Sequence, residues 1–193
     1  MADVLWPEQL VDNPYHDVKN VVYRLKRILS LIGIEDLIVA QGGTFILNPQ
    51  YRIQTDFKRF EDACNRIKRE TNHEVVSSLY HGSMQLYKGR LLPRFDDAQW
   101  LMPWSAYYQN QYLRLVKSYI SYRFQTKDYA AVQKAAVEAL AMEPYDTELM
   151  TSLTISMCEQ GNRSLAYSYF NKIRPQLTEE QADKLLTYFK KAK

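Results

Sequence analysis

Residues 127–175 read KDYAAVQKAAVEALAMEPYDTELMTSLTISMCEQGNRSLAYSYFNKIRP. Two turns punctuate this stretch, Lys127-Asp128-Tyr129 and Gly161-Asn162-Arg163, and Asp128 and Asn162 stand 34 residues apart. The first turn is followed by Ala135, Ala139-Leu140 and Pro144, the second by Ala166, Phe170 and Pro175. Apolar residues between these marks recur at helical spacing, so each turn opens a pair of helices. Small residues at the contact positions let two antiparallel helices approach closely. A single pair leaves one apolar face bare, which the next pair must cover.

A period of about 34 with these features is the tetratricopeptide signature, and it predicts a short solenoid of two clear units behind a more divergent first hairpin. Working outward, helices are expected near 104–125, 129–142, 147–159, 163–173 and 179–191. Thr178-Glu179-Glu180-Gln181 has the form of a capping box at the start of the last of these. Upstream, Asp56 is placed to cap a helix carrying Phe57, Phe60, Ala63, Cys64 and Ile67 on one side, and a second helix is expected over Glu74 to Tyr87. The aromatic and proline content between Gly89 and Pro103 points to an ordered connection. No strand is expected after Asp56.

The head, up to about Ile53, is mixed. Asn13-Pro14 makes a turn. Val18, Val22, Leu25 and Leu29 then form an amphipathic stripe, with Val21 and Ile28 beside it, and Gly33 is placed to end the helix. Leu37-Ile38-Val39-Ala40 and Phe45-Ile46-Leu47, joined through Gln41-Gly42-Gly43-Thr44, read as a β-hairpin. Asn48-Pro49 closes it.

Composition excludes several classes. With 46% hydrophobic and 24% charged residues the chain is a folded, water-compatible protein rather than a disordered one. Six glycines and seven prolines are too few for a loop-rich β-sandwich or barrel. No run approaches the roughly 18 apolar residues of a membrane span, nothing at the N-terminus has the form of a signal peptide, and the expected location is the cytoplasm. The net charge of +3 matters only where it is concentrated on one face.

One face concentrates it. Opposite the apolar stripe of the 17–32 helix stand Lys19, Asn20, Tyr23, Arg24, Lys26 and Arg27, with Asp17 the only acid. A charge run of this kind is often no more than a solvated face. A helix so equipped, followed directly by a Gly-Gly hairpin, also suits duplex DNA. Asn pairs with adenine edges and Arg with guanine edges in the major groove, and a glycine tip allows close backbone approach to phosphate.

Other chemistry is poorly represented. His16, His73 and His81 lack metal-ligand spacing, so no metal is expected. No phosphate loop or nucleophile elbow is present, no cofactor is implied, and the chain is not expected to be an enzyme. Cys64 and Cys158 read as small buried hydrophobes. Among fifteen tyrosines, Tyr108, Tyr112 and Tyr119 follow one buried stripe. Tyr107 and Tyr122 fall off it and are the candidates for a partner surface.

The run Leu5-Trp6-Pro7-Glu8, the helix Val18 to Leu29 containing Tyr23-Arg24-Leu25-Lys26-Arg27, and Gly42-Gly43-Thr44-Phe45-Ile46-Leu47 resemble the latter part of a response-regulator-type winged helix. The stretch Leu86-Tyr87-Lys88-Gly89-Arg90-Leu91-Leu92-Pro93, with Trp100, Asp128-Tyr129, Ala139-Leu140, Glu143-Pro144, Glu148-Leu149 and Gly161 to Ala166, resembles the bacterial transcriptional activator domain of antibiotic-regulatory-type activators. The resemblance departs from the family at Pro103-Trp104-Ser105, where the family usually carries an arginine. It also implies that the sheet and first helix that open such a winged helix precede Met1 in a longer parent chain.

The fold class expected is therefore mainly α: a tetratricopeptide-like helical hairpin solenoid over 54–193, preceded over 1–53 by a partial winged helix with a short β-hairpin. The resemblance implies a recognition helix at about 17–32 and a wing at about 37–47. DNA-binding residues would then be Lys19, Asn20, Tyr23, Arg24, Arg27, Gly42, Gly43 and Thr44. Expected partners are double-stranded DNA, where the parent protein completes the winged helix, and proteins met through the helical repeats, such as a second copy or RNA polymerase. The alternative is a tetratricopeptide-like interaction scaffold that touches no DNA. A ligand sensor using the concave face of the hairpins is neither supported nor excluded by the sequence.

Overall fold

The computed structural model describes residues 13–95 and 98–191. Leu5-Trp6-Pro7-Glu8 lies outside the described residues. The chain divides into two compact units, residues 1–55 and 56–193.

In the first unit, helix α1 (Pro14–Ser30) is followed by strands β1 (Ile38–Gln41) and β2 (Thr44–Leu47). The strands pair antiparallel, with Ile38 opposite Leu47 and Gln41 opposite Thr44. Only Val18 and Val22 of the α1 stripe are buried; Leu25 remains 40% exposed and Leu29 half-buried. Among the described residues of this unit, one two-stranded ribbon offers too little surface to cover a whole helix face.

The second unit is helical: α2 (Asp56–Ile67), α3 (His73–Leu86), α4 (Met102–Gln125), α5 (Tyr129–Met142), α6 (Thr147–Glu159), α7 (Arg163–Ile173) and α8 (Glu179–Lys191). Side-chain caps set most starts. Asp128 accepts the Ala131 N–H at 3.1 Å, and Asp146 accepts those of Glu148 and Leu149 at 3.1 and 3.0 Å. The capping box forms as expected: Thr178 Oγ1 accepts the Gln181 N–H and Gln181 Oε1 accepts the Thr178 N–H. The repeat is visible in the bonding. Gln109 reaches Glu143 and Gln181 reaches Thr147, each across 34 residues, tying matching positions of successive hairpins together.

The core runs along α4. Tyr108, Tyr112, Leu115, Val116, Tyr119 and Ile120 are buried. Tyr112 stacks on Tyr87 with ring centres 4.2 Å apart, and Tyr80 packs on Tyr119 at 5.4 Å. Burial pushes the Tyr87 phenol up to about 12. Farther along, Ala135, Ala136 and Ala139 of α5 lie against Leu149, Leu153 and Ala166 in the same core. A second cluster of Phe170, Ala182 and Leu185 holds the last hairpin. Arg123 on α4 ties three helices, donating to Ser77 Oγ on α3 and to Asp128 Oδ2 at the start of α5.

The two interhelix turns share one backbone device. Gly161 ends α6 with φ 83°, and Lys127, its counterpart 34 residues earlier, ends α4 with φ 57°. In both, the next residue donates back five positions, Asp128 to the Arg123 carbonyl and Asn162 to the Met157 carbonyl, each at 2.9 Å. Left-handed backbone costs a residue with a Cβ about 1–2 kcal/mol, partly offset by the greater freedom glycine loses on folding. Lys127→Gly is therefore expected to raise stability by about 0.5–1 kcal/mol. A chemical-denaturation midpoint that falls would contradict this.

Candidate nucleic-acid interface

Helix α1 is defined at both ends by local chemistry. Asn13 Oδ1 accepts the His16 N–H at 3.1 Å, Pro14 occupies the first turn, and Asp17 and Arg27 sit at the ends that favour their charges. Gly33 follows with φ 75°. At about 100° per residue, Lys26, Lys19, Tyr23, Arg27, Asn20 and Arg24 follow one another around the helix through an arc of roughly 160°. All six except the half-buried Lys26 are exposed.

The hairpin tip is a turn of two glycines. Gly42 and Gly43 have φ 57° and 78°, the positive pair that a two-residue type I′ turn requires. A Cβ at either position would meet nothing within 4 Å, so both face open space. The Thr44 hydroxyl donates to the Gln41 carbonyl at 2.8 Å, which commits its proton to the turn.

Between helix and hairpin lies an open groove of about 390 Å³. It brings together four of the expected site residues, Lys19 and Tyr23 from α1 with Gly43 and Thr44 from the tip. Asn20, Arg24 and Arg27 lie farther round the same arc, and Gly42 is on the turn outside the groove. The groove adds Tyr15, Lys26 and Phe45 to the expected site. Lys19 Nζ stands 4.3 Å from the centre of the Tyr15 ring, a cation–π pair at the groove edge. Tyr15, Lys19 and Tyr23 recur every four residues, and this spacing was the available signal for Tyr15.

In the helical unit, Tyr107 is 38% exposed and donates its hydroxyl to Glu61 Oε1 at 2.8 Å. Tyr122 is half-buried, with the Arg123 guanidinium 5.6 Å from its ring centre. The two are separated by about 22 Å along α4. Cys64 and Cys158 are buried free thiols, and burial pushes Cys64 up to about 11. His16 and His81 are exposed. Among the described residues no group of three or more His, Cys, Asp or Glu could hold a metal ion, and no helix is long and apolar enough to cross a membrane.

Comparison with known proteins gives one family match. The family model for the bacterial transcriptional activator domain covers residues 55–185. No curated protein and no solved structure matches the chain.

Proposed function

Because the chain belongs to the bacterial transcriptional activator domain family, we propose that it is a cytoplasmic DNA-binding transcriptional regulator of the activator type. In this reading α1 is the recognition helix of a winged helix and the β1–β2 hairpin is its wing. The helical unit serves self-association or contact with the transcription machinery. The observation that carries the reading is the exposed arc of Lys19, Tyr23, Arg27, Asn20 and Arg24, placed beside a hairpin whose glycine tip faces open space.

The roles follow from side-chain chemistry. Asn20 and Arg24, one turn apart, offer the two pairings that read adenine and guanine edges. Tyr23 and Arg27 stand next to them on the arc, and Lys19 meets the backbone. The amides of Gly42 and Gly43 approach phosphate, with Thr44 stiffening the tip through its bond to Gln41. Tyr107 and Tyr122 mark points of protein contact along α4.

Salt dependence tests the reading. With four cations on the arc, Lys19, Arg24, Lys26 and Arg27, duplex affinity is expected to fall with log salt at a slope of about −3 to −4. Fluorescence anisotropy on a labelled duplex measures it. A flat response, or no binding at low salt, leaves the interaction scaffold as the better account.

A further inference from the structure

Within the helical unit, the start of α2, the 87–93 connection and the start of α4 enclose an open groove of about 680 Å³. Phe60, Tyr87, Leu101 and Tyr108 form its floor, each buried. Its rim is different: Phe57, Leu92, Trp100 and Trp104 line it while remaining between 37% and 57% exposed. Folding gains nothing from leaving two indoles and a phenyl ring wet around one depression, and contiguous apolar surface of this kind marks interaction sites. The volume falls within the roughly 300–1,000 Å³ of small-molecule pockets, whose walls are mainly apolar with a few polar groups.

Two residues of the 87–93 connection have left-handed backbone. Gly89 turns at φ 104°, and Leu92 adopts φ 45°, a region that residues other than glycine rarely enter. Such outliers concentrate where a loop is held in place for binding.

Charge narrows the ligand class. Among the described residues, the lining's acids and bases are Asp56, Lys88 and Arg90. Asp56 is engaged at the start of α2, where its Oδ1 accepts the Phe57 N–H at 2.8 Å. Arg90 has an interaction of its own, whereas Lys88 has neither a hydrogen bond nor an ion pair among the described residues. We propose that this groove binds an apolar small molecule carrying one acidic group. Its hydrocarbon body lies across Trp100, Trp104 and Phe57, and its carboxylate meets Lys88. A single depression with one available cation fits a small acid better than a peptide, whose backbone needs a row of hydrogen-bonding partners. The inference is independent of DNA binding by α1.

The chain carries three tryptophans, so a Trp6→Phe background, excited selectively at tryptophan, leaves tryptophan emission only from the two that line the groove. In that background, sodium decanoate is expected to change the emission saturably, with 1-decanol binding about tenfold more weakly. Lys88→Gln is expected to remove the acid's advantage while leaving decanol within about twofold. Trp104→Ala is expected to weaken both by about tenfold, read from Trp100. Leu92→Asp is the second rim variant, with far-ultraviolet circular dichroism checking the fold of each. A linear, unsaturable response overturns the proposal. So does equal affinity for decyltrimethylammonium and decanoate, or unchanged affinity in whichever rim variant remains folded. Saturable binding of an apolar peptide without any response to decanoate places a protein segment there instead, and also overturns it.

Discussion

Tyr112→Ala is expected to destabilise the helical unit by about 3–5 kcal/mol, the cost typical of deleting a large buried aromatic side chain. Tyr112 is 1% exposed in the middle of α4. Its ring lies nearly parallel to that of Tyr87, with 15° between their planes, so truncation removes a stacked partner as well as apolar burial. The hole also opens where α4 joins the N-terminal hairpin to the repeats, since Tyr87, Leu115 and Ala136 share its core cluster. Relaxation to fill it would have to move helices packed on both sides, so little of the loss is recovered. Thermal melts followed by circular dichroism should show a Tm drop of roughly 10 °C or more. Tyr145→Ala, at a residue 80% exposed, serves as the comparison and should stay within about 0.5 kcal/mol of the parent. If Tyr112→Ala costs no more than Tyr145→Ala, the stacked core along α4 is wrongly described.

The helical unit was readable because its signals are local and agree with one another. The turns at Asp128 and Asn162, the small residues after them and the capping box at Thr178 each act within a few residues, so their spacing alone places α5 to α8. The tyrosine stripe on α4 was equally legible, because a four-then-seven spacing has one meaning on a helix and Tyr108, Tyr112 and Tyr119 are all buried. The bacterial transcriptional activator domain resemblance, carried by residues from Leu86 onward, agrees with the family match over 55–185.

What the sequence hid depends on distant partners. Leu25 follows the same period as Val18 and Val22, yet burial needs a second surface, and periodicity says nothing about whether one is present. Lys127 sits where its counterpart is Gly161, so its left-handed backbone is visible only through the repeat and not from the residue itself. From sequence the stretch from Gly89 to Pro103 reads as an ordered connection. That it walls a groove depends on Phe57 meeting Tyr108 with ring centres 5.5 Å apart, a contact across half a hundred residues that no local pattern encodes. On α1 the basic arc was legible from the period. Its junction with the hairpin tip at Lys19, Tyr23, Gly43 and Thr44 required the tertiary arrangement.

Replacing Asn20 and Arg24 together by alanine is expected to lower sequence-specific duplex affinity by about a hundredfold or more, since each base-edge contact contributes about 1–3 kcal/mol. Both side chains are exposed on α1, away from the buried Val18 and Val22. Alanine also favours helix, so the fold of the unit should be unaffected and the loss would report on the contact alone. Lys19→Ala should behave differently: a modest, sequence-independent weakening with a salt slope shallower by about one. The distinction is physical, because a cation beside phosphate exchanges with counterions whereas a bidentate contact to a base edge reads sequence. A duplex selected from a random pool, followed by anisotropy titrations at several salt concentrations, separates the two behaviours. Lys134→Ala, at an exposed position on α5, provides a charge-matched comparison that should leave both affinity and slope unchanged. Intact specific binding in the Asn20/Arg24 double variant would remove α1 from the role of reading DNA. The exposed basic arc would then be solvated surface, and the helical unit would be left as the functional part of the chain.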